Sequence, residues 1–165
     1  LAARGYLEAI NYAFVDAGLL AAWQLAEGSV PLANPLSAEL GVMRTRLLPG
    51  LVAALARNAA RQQSRVRLFE IGKTFAASGD APIETRRIAA VACGDAAGEQ
   101  WGVDARKLDF HDLKGDLESL AALAGARLEF RASAEPHAHP GRSADVYRLD
   151  PAGAGVRIGW IGQLH

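Results

Sequence analysis

The sequence predicts a single α+β domain, an antiparallel β-sheet flanked by helices, and three observations carry that expectation. About six or seven short segments alternate apolar and polar residues with the period of two that half-buried strands show. Most are separated by turn residues and not by helix-length crossovers, which favours antiparallel pairing. Two longer segments repeat apolar residues at i, i+3, i+4 and i+7, the stripe of a helix with one buried face. At 165 residues, a chain buries roughly 68–70% of its unfolded surface as one domain, so a single core spanning 1–165 is the expected organisation. No internal repeat is present.

A short helical stretch ends near Gly5. Ile10, Tyr12 and Phe14 then alternate with Ala9, Asn11 and Ala13 and predict a strand. Asp16 is placed to cap a short helix through Leu25, its carboxylate accepting from free backbone N–H groups of the first turn. Residues 30–32 predict a second strand, closed by a turn at Asn34-Pro35. Pro35 holds Asn34 in extended geometry, and the Asn34 and Ser37 side chains can serve local backbone donors. The next helix is capped by Thr45 or a neighbour and tolerates Pro49 in its first turn, where the missing N–H costs little. Its stripe is Leu48, Leu51, Val52, Leu55 and Ala59. Arg57, Arg61 and Arg65 trail off its polar side and back end, where cations suit the helix dipole; a solvated face is favoured there over an RNA contact.

Val66, Leu68, Phe69 and Ile71, continued by residues 73–75, predict a strand that returns as residues 87–93 across a polar loop at 76–85. Residues 95–104 are rich in Gly and Ala without periodicity and predict a mobile connection, with Trp101 pinning it. Asp109 then opens the second strong helix. Asp109 and Asp112 have capping-box spacing, Phe110, Leu113, Leu117, Leu120 and Ala124 share a face, and Gly125 ends it. Residues 127–131, 145–149 and 156–161 predict the remaining strands, the last two flanking the hairpin turn Asp150-Pro151-Ala152-Gly153.

Composition narrows the chemistry. Eighteen basic and eighteen acidic residues leave no net charge, so no global field draws in nucleic acid or an anionic membrane. No apolar run approaches the roughly 18 residues of a membrane span. The one cysteine, Cys93, rules out an intrachain disulfide and a multi-cysteine zinc site and suits a reducing cytoplasm; its apolar neighbours mark it as a small buried hydrophobe. Arginine outnumbers lysine 15 to 3, which reads as codon bias. The Gly153-Ala154-Gly155 and Gly159-Trp160-Ile161-Gly162 runs do not precede helices, so neither is a phosphate cradle. His137 and His139 lie beside prolines in an expected turn-forming loop and lack a third ligand at zinc spacing. Asp109, Asp112, Asp116 and Glu118 read as a helix N-terminus with carboxylates on a polar-to-boundary strip. Gly115 inside that helix costs about 1 kcal/mol relative to Ala and suggests close approach by another segment. No serine or cysteine sits in a nucleophile elbow, so a hydrolase has nothing to rest on.

Four runs, in order, carry a family resemblance: Asn34-Pro35-Leu36-Ser37-Ala38-Glu39-Leu40-Gly41-Val42-Met43-Arg44-Thr45-Arg46-Leu47-Leu48-Pro49-Gly50-Leu51, Arg67-Leu68-Phe69-Glu70-Ile71-Gly72, Asp109-Phe110-His111-Asp112-Leu113-Lys114-Gly115-Asp116-Leu117-Glu118, and His139-Pro140-Gly141-Arg142-Ser143-Ala144. Together they resemble the β subunit of bacterial phenylalanyl-tRNA synthetase over nearly the whole chain. The opening at Leu1 without Met and the last residues in mid-strand read as a piece of a larger polypeptide. The resemblance implies a module similar in fold to the class II synthetase core but catalytically silent. It would pack in an (αβ)₂ assembly against an α subunit that holds the phenylalanine-adenylating site. Editing and anticodon-recognising domains would lie elsewhere in the parent chain. ATP and Mg²⁺ would be used by the parent complex and not by this fragment, and tRNA would be met through that complex, with weak or no binding here.

The residues agree with silence. Class II catalytic strands carry a Phe-Arg-x-Glu pattern whose arginine contacts the α-phosphate of ATP; the similar strand here reads Phe75-Ala76-Ala77-Ser78. Lys73 is the one cation between Leu68 and Ile83, and a lysine lacks the bidentate fork. The motif residues Asn34, Pro35, Arg44, Pro49, Glu70, Gly72, Asp112, Lys114, Gly115, His139 and Pro140 are therefore expected to be structural, with no catalytic, cofactor or metal residue assigned. Arg44 is expected to clamp carbonyls or a carboxylate, Glu39 or Glu70, with a cost of roughly 1–3 kcal/mol on truncation. Two other classes compete: a free-standing adenylate-forming enzyme related to class II synthetases or biotin ligases, and an autonomous RNA-binding domain using Arg57, Arg61, Arg65 and Arg67.

Overall fold

The computed structural model describes residues 1–79 and 81–165; Asp80, within the expected 76–85 loop, lies outside the described residues. The chain divides into two compact units, residues 2–94 and 95–165. The fold is a mixed α+β one in which antiparallel pairing dominates. The strands do not join one sheet, however. Among the described residues they form three three-stranded sheets.

In the first unit, β1 (Leu7–Glu8), β5 (Val66–Ala76) and β6 (Ile83–Cys93) make one sheet, with β5 in the middle. β5 and β6 form the expected hairpin, in register from Val66 opposite Cys93 to Ala76 opposite Ile83. β1 pairs with β5 in parallel, which the turn-based reading did not anticipate. The second sheet is small: β2 (Phe14–Val15), β4 (Val42–Met43) and β3 (Val30–Pro31), with β4 central. The expected strand over Ile10, Tyr12 and Phe14 is therefore corrected to two short pieces. Ile10 and Tyr12 are exposed, and the backbone between the pieces is held from outside a ladder: Ala9 N–H donates to Phe69 O (2.7 Å) and Arg44 N–H to Ala13 O (2.9 Å). Alternation here marks an extended chain whose apolar side faces outward.

Asp16 caps α1 (Ala17–Ala22), accepting from the Gly18 and Leu19 amides. α2 (Leu48–Ala60) follows, with Pro49 in its first turn, but Leu47 occupies its cap position and offers no side-chain acceptor. Thr45 is not the cap; its hydroxyl donates to Leu25 O at 3.0 Å. Leu51 and Ala54 of α2 pack on Val66, Leu68 and Val91, joined by Leu48, Val52, Leu55 and Cys93. Ala59 at the end of the predicted stripe is exposed, as are Arg57 and Arg61.

In the second unit, β7 (Arg127–Ala132), β8 (Ala138–Leu149) and β9 (Gly155–Leu164) form an antiparallel meander with β8 central. Phe110, Leu113 and Leu117 of α3 (Phe110–Leu123) pack on Ala144, Val146 and Ile161 with Leu128 and Phe130. Both bonds of the Asp109/Asp112 capping box are present. At the other end, Gly125 (φ +62°) donates to Ala122 O and Ala126 N–H to Ala121 O, the paired bonds of a Schellman ending. The 150–153 turn closes as expected, Gly153 N–H donating to Asp150 O at 3.0 Å.

Four expectations are corrected in this unit. His139 and Pro140 lie inside β8 and not in a loop. The ladder slips between Ala138 and Ser143, so residues 139–142 form a bulge, where Pro140 has no N–H to donate and Gly141 takes φ +77°. Trp101 pins nothing, being fully exposed. Asp116 is buried and not on a polar-to-boundary strip. Gly115 meets no neighbour: a Cβ there would have nothing within 4 Å. Gly115→Ala should therefore stabilise the chain by about 0.5–1 kcal/mol, the helix-interior advantage of Ala, read as a rise in the urea midpoint; a fall would show that something does approach that face.

Asp145 supplies a pH dependence. Arg157 Nη2 donates to its Oδ1 at 2.8 Å and Ser133 Oγ at 2.9 Å, and these bonds, Arg157 first, hold its carboxyl below its ordinary value of 3.8. A depressed folded-state value contributes stability that is present above about pH 4 and lost as pH falls through the folded value. Asp145→Asn should flatten the acid limb of a stability-versus-pH curve below pH ~4; an unchanged limb would contradict the assignment.

Candidate functional site

Three motif residues of the first unit, Arg44, Glu70 and Gly72, meet in one polar cluster. Arg44 sits between β4 and α2, and Glu70, Gly72 and Lys73 sit on β5. Alternation along β5 sends Glu70 to the buried face, and Arg44 is carried over it by the β4 pairing. The Arg44 and Glu70 side chains are only 7% and 4% exposed, so this pair is screened from water. Arg44 Nη1 donates to Glu70 Oε1 at 2.6 Å, its Nε to Lys73 O at 2.9 Å, and Nη1 also reaches Tyr12 O at 3.5 Å. Asn11 Nδ2 donates to the other carboxylate oxygen, Oε2, at 2.8 Å. The main chain of Arg44 joins in, its N–H donating to Ala13 O and its carbonyl accepting from Phe75 N–H, each at 2.9 Å. One arginine thus ties segment 11–13 to β5 from side chain and backbone alike. Of the two expected carboxylate partners it takes Glu70; Glu39 is exposed.

Gly72 leaves the room for this arrangement. A Cβ there would overlap Arg44 Nη2 and come within 3.2 Å of Glu70 Oε1 and Leu47 Cδ2. The guanidinium is a side-chain end, but its bonds fix it. Gly72→Ala should cost about 1–3 kcal/mol by overpacking, visible as a lowered melting temperature; an unchanged one would mean the guanidinium can move aside freely.

The remaining motif residues fall elsewhere. Asn34 and Pro35 are exposed in the 33–40 segment, closed at its base by Leu32 N–H to Gly41 O at 2.9 Å; Ser37 makes no capping bond from its side chain. Pro49 is buried in the first turn of α2. In the second unit, Asp112 accepts from both Arg106 Nη atoms (2.7 and 2.5 Å) and from Asp109 N–H. Lys114 lies over the Phe130 ring at 4.9 Å and pairs with Glu118 at 3.5 Å. His139 stacks on His165, centroids 5.8 Å apart. Asn11 was not singled out from the sequence, although a lone amide in an alternating apolar stretch is the signal that could have found it.

The charged groups of this cluster already have partners. Its arginine is consumed by Glu70 and two carbonyls, Lys73 pairs across the hairpin with Glu84, and the position after Phe75 is Ala76. Among the described residues no group of three His, Cys, Asp or Glu side chains is placed to hold a metal ion.

Residues 1–165 match the family described as the phenylalanyl-tRNA synthetase β-chain CLM domain. The chain belongs to that family. The phenylalanine–tRNA ligase β subunit of Xanthomonas axonopodis pv. citri is 66% identical over 168 residues, covering all of this chain and 21% of that protein. The β subunit of Xylella fastidiosa strain Temecula1 is 64% identical, again over the whole chain and 21% of the relative. The chain thus spans about a fifth of the length of the relatives it matches. A pyrrolysyl-tRNA synthetase from Desulfitobacterium hafniense is similar in structure, with a TM-score of 0.56 at 18% identity over 88% of this chain and 48% of that one. That likeness shows the fold, a class II synthetase-like core. Membership of the CLM family does not favour a free-standing adenylating enzyme or an autonomous RNA-binding domain.

Proposed function

We propose that this CLM-family chain is the non-catalytic, synthetase-like module of a phenylalanine–tRNA ligase β subunit. In this reading it packs against the catalytic α subunit in the cytoplasm and so supports ATP-dependent charging of tRNA with phenylalanine. One observation carries the silence: the arginine packed over β5 is locked to Glu70 and to backbone carbonyls, and no second arginine stands where a class II strand would present one to ATP. ATP and Mg²⁺ belong to the parent complex, and tRNA is met through it. Apolar side chains left in water on the first unit, Leu7, Ile10, Tyr12 and Leu36, supply surface for a protein partner. ATP–pyrophosphate exchange tests the silent role. The chain alone should show none above a heat-killed control, at any phenylalanine concentration, while the α subunit with full-length β should show it; exchange by the chain alone would overturn the reading.

A further inference from the structure

The segment 95–107 of the second unit is built as a closed loop with an exposed tip. At its base, Asp95 and Lys107 form an isolated antiparallel bridge, their side chains pair at 2.8 Å, and Ala96 N–H donates to Arg106 O at 2.9 Å. Arg106 in turn holds Asp112 with two bonds in the first turn of α3. The base is therefore tied to a capped helix. The tip carries the fully exposed indole of Trp101, with Val103 more than half exposed beside it. A whole indole in water is an unfavourable way to spend the largest apolar side chain, and Trp is the residue type that most often anchors interfaces.

The charge around the tip selects its partner. From residue 95 to 105 the chain has three carboxylates, Asp95, Glu99 and Asp104, and no Lys or Arg. Asp95 is neutralised by Lys107, which leaves Glu99 and Asp104 flanking Trp101 on both sides. Phosphate backbones and anionic lipid are repelled by that pair, so base stacking and membrane insertion are disfavoured. A protein pocket that is apolar at its floor and lined by Lys or Arg at its rim is complementary. Size argues against a free molecule that would dock through this tip alone. One indole buries about 150–250 Å², against roughly 1,200 Å² or more for a stable interface between free molecules. A tip of this size holds only a partner already kept close, and attachment through the same polypeptide supplies millimolar-range effective concentration. About four fifths of the relatives' length lies outside the matched region, so such a tethered partner is available.

We infer that the Trp101 loop is a peg that docks into a basic-rimmed apolar pocket on another domain of the same β polypeptide. The inference does not depend on packing against the α subunit, whose loss would be read separately in co-purification. The test places the photo-cross-linker benzoylphenylalanine at position 101 of full-length β, assembled with α and tRNA, and identifies the joined peptide by mass spectrometry. The expected product is a Lys- or Arg-containing peptide of the same β molecule from outside residues 1–165. Glu99→Lys with Asp104→Lys should lower its yield at least about fivefold through loss of charge complementarity. Joining to α, to tRNA or to a second β copy, the last visible as light–heavy pairs in a mixture of isotopically labelled chains, would overturn the inference. So would no cross-link. Hydroxyl-radical oxidation of native Trp101 in full-length β without α or tRNA gives an independent reading: protection of about tenfold relative to the urea-unfolded chain is expected for a docked indole, and full reactivity would overturn the peg.

Discussion

Arg44→Ala is expected to destabilise the chain by about 3–5 kcal/mol, the range for removing one partner of a buried ion pair. This exceeds the 1–3 kcal/mol expected from the sequence because Glu70, at 4% exposure, is left with Asn11 as its one side-chain donor among the described residues. Two carbonyls, Lys73 O and Tyr12 O, lose their donor as well. Urea or thermal unfolding monitored by circular dichroism reads the loss directly. The double variant Arg44→Met/Glu70→Gln should recover a large part of it, since no uncompensated charge then remains. An unchanged melting temperature for Arg44→Ala, together with lost activity of the reconstituted αβ enzyme, would refute the clamp and assign Arg44 a functional role.

Gly94→Ala is the second change expected to be severe. Gly94 follows β6 at φ +91°, a conformation that L side chains rarely adopt. A Cβ there would overlap the Ser64 carbonyl oxygen and lie 2.9 Å from Arg65 Cα, so backbone and not a flexible side chain would have to give way. Left-handed strain of about 1–2 kcal/mol adds to overpacking of about 1–3 kcal/mol, for an expected total of about 2–5 kcal/mol. Equilibrium urea unfolding checks this. Near-native stability of Gly94→Ala would contradict the path of the chain from β6 past the α2–β5 connection.

Much of the fold was legible because its larger elements carry strong local signals. α2 and α3 are marked by apolar periodicity, α3 also by its capping box and by Gly125, and the β5–β6 hairpin by its alternation. Elements of two residues, such as β1 and β4, carry no period to read, and their pairing depends on distant partners. The parallel contact of Leu7 with Leu68 is such a case. Residues 9–13 show the limit of alternation: the period of two was present, but Arg44 and β5 took up the backbone groups that a strand would have used. At the cluster, Glu70 was named as one of two partners for Arg44, because a planar five-donor group needs a carboxylate within reach. Asn11 and the space left by Gly72 were not, because both depend on how three separated segments meet. Gly115 misled the reading in the opposite direction, since a helix glycine looks the same in sequence whether a neighbour fills the gap or leaves it open.

We propose above that this chain is a silent module that holds the catalytic subunit. Co-expression of residues 1–165 with the phenylalanine–tRNA ligase α subunit, with the eluted species weighed by light scattering, tests that role. Co-elution as a defined complex is expected, with the chain alone tending to self-associate through its uncovered apolar surface. Separate elution of the two proteins, with residues 1–165 strictly monomeric and well folded, would contradict it.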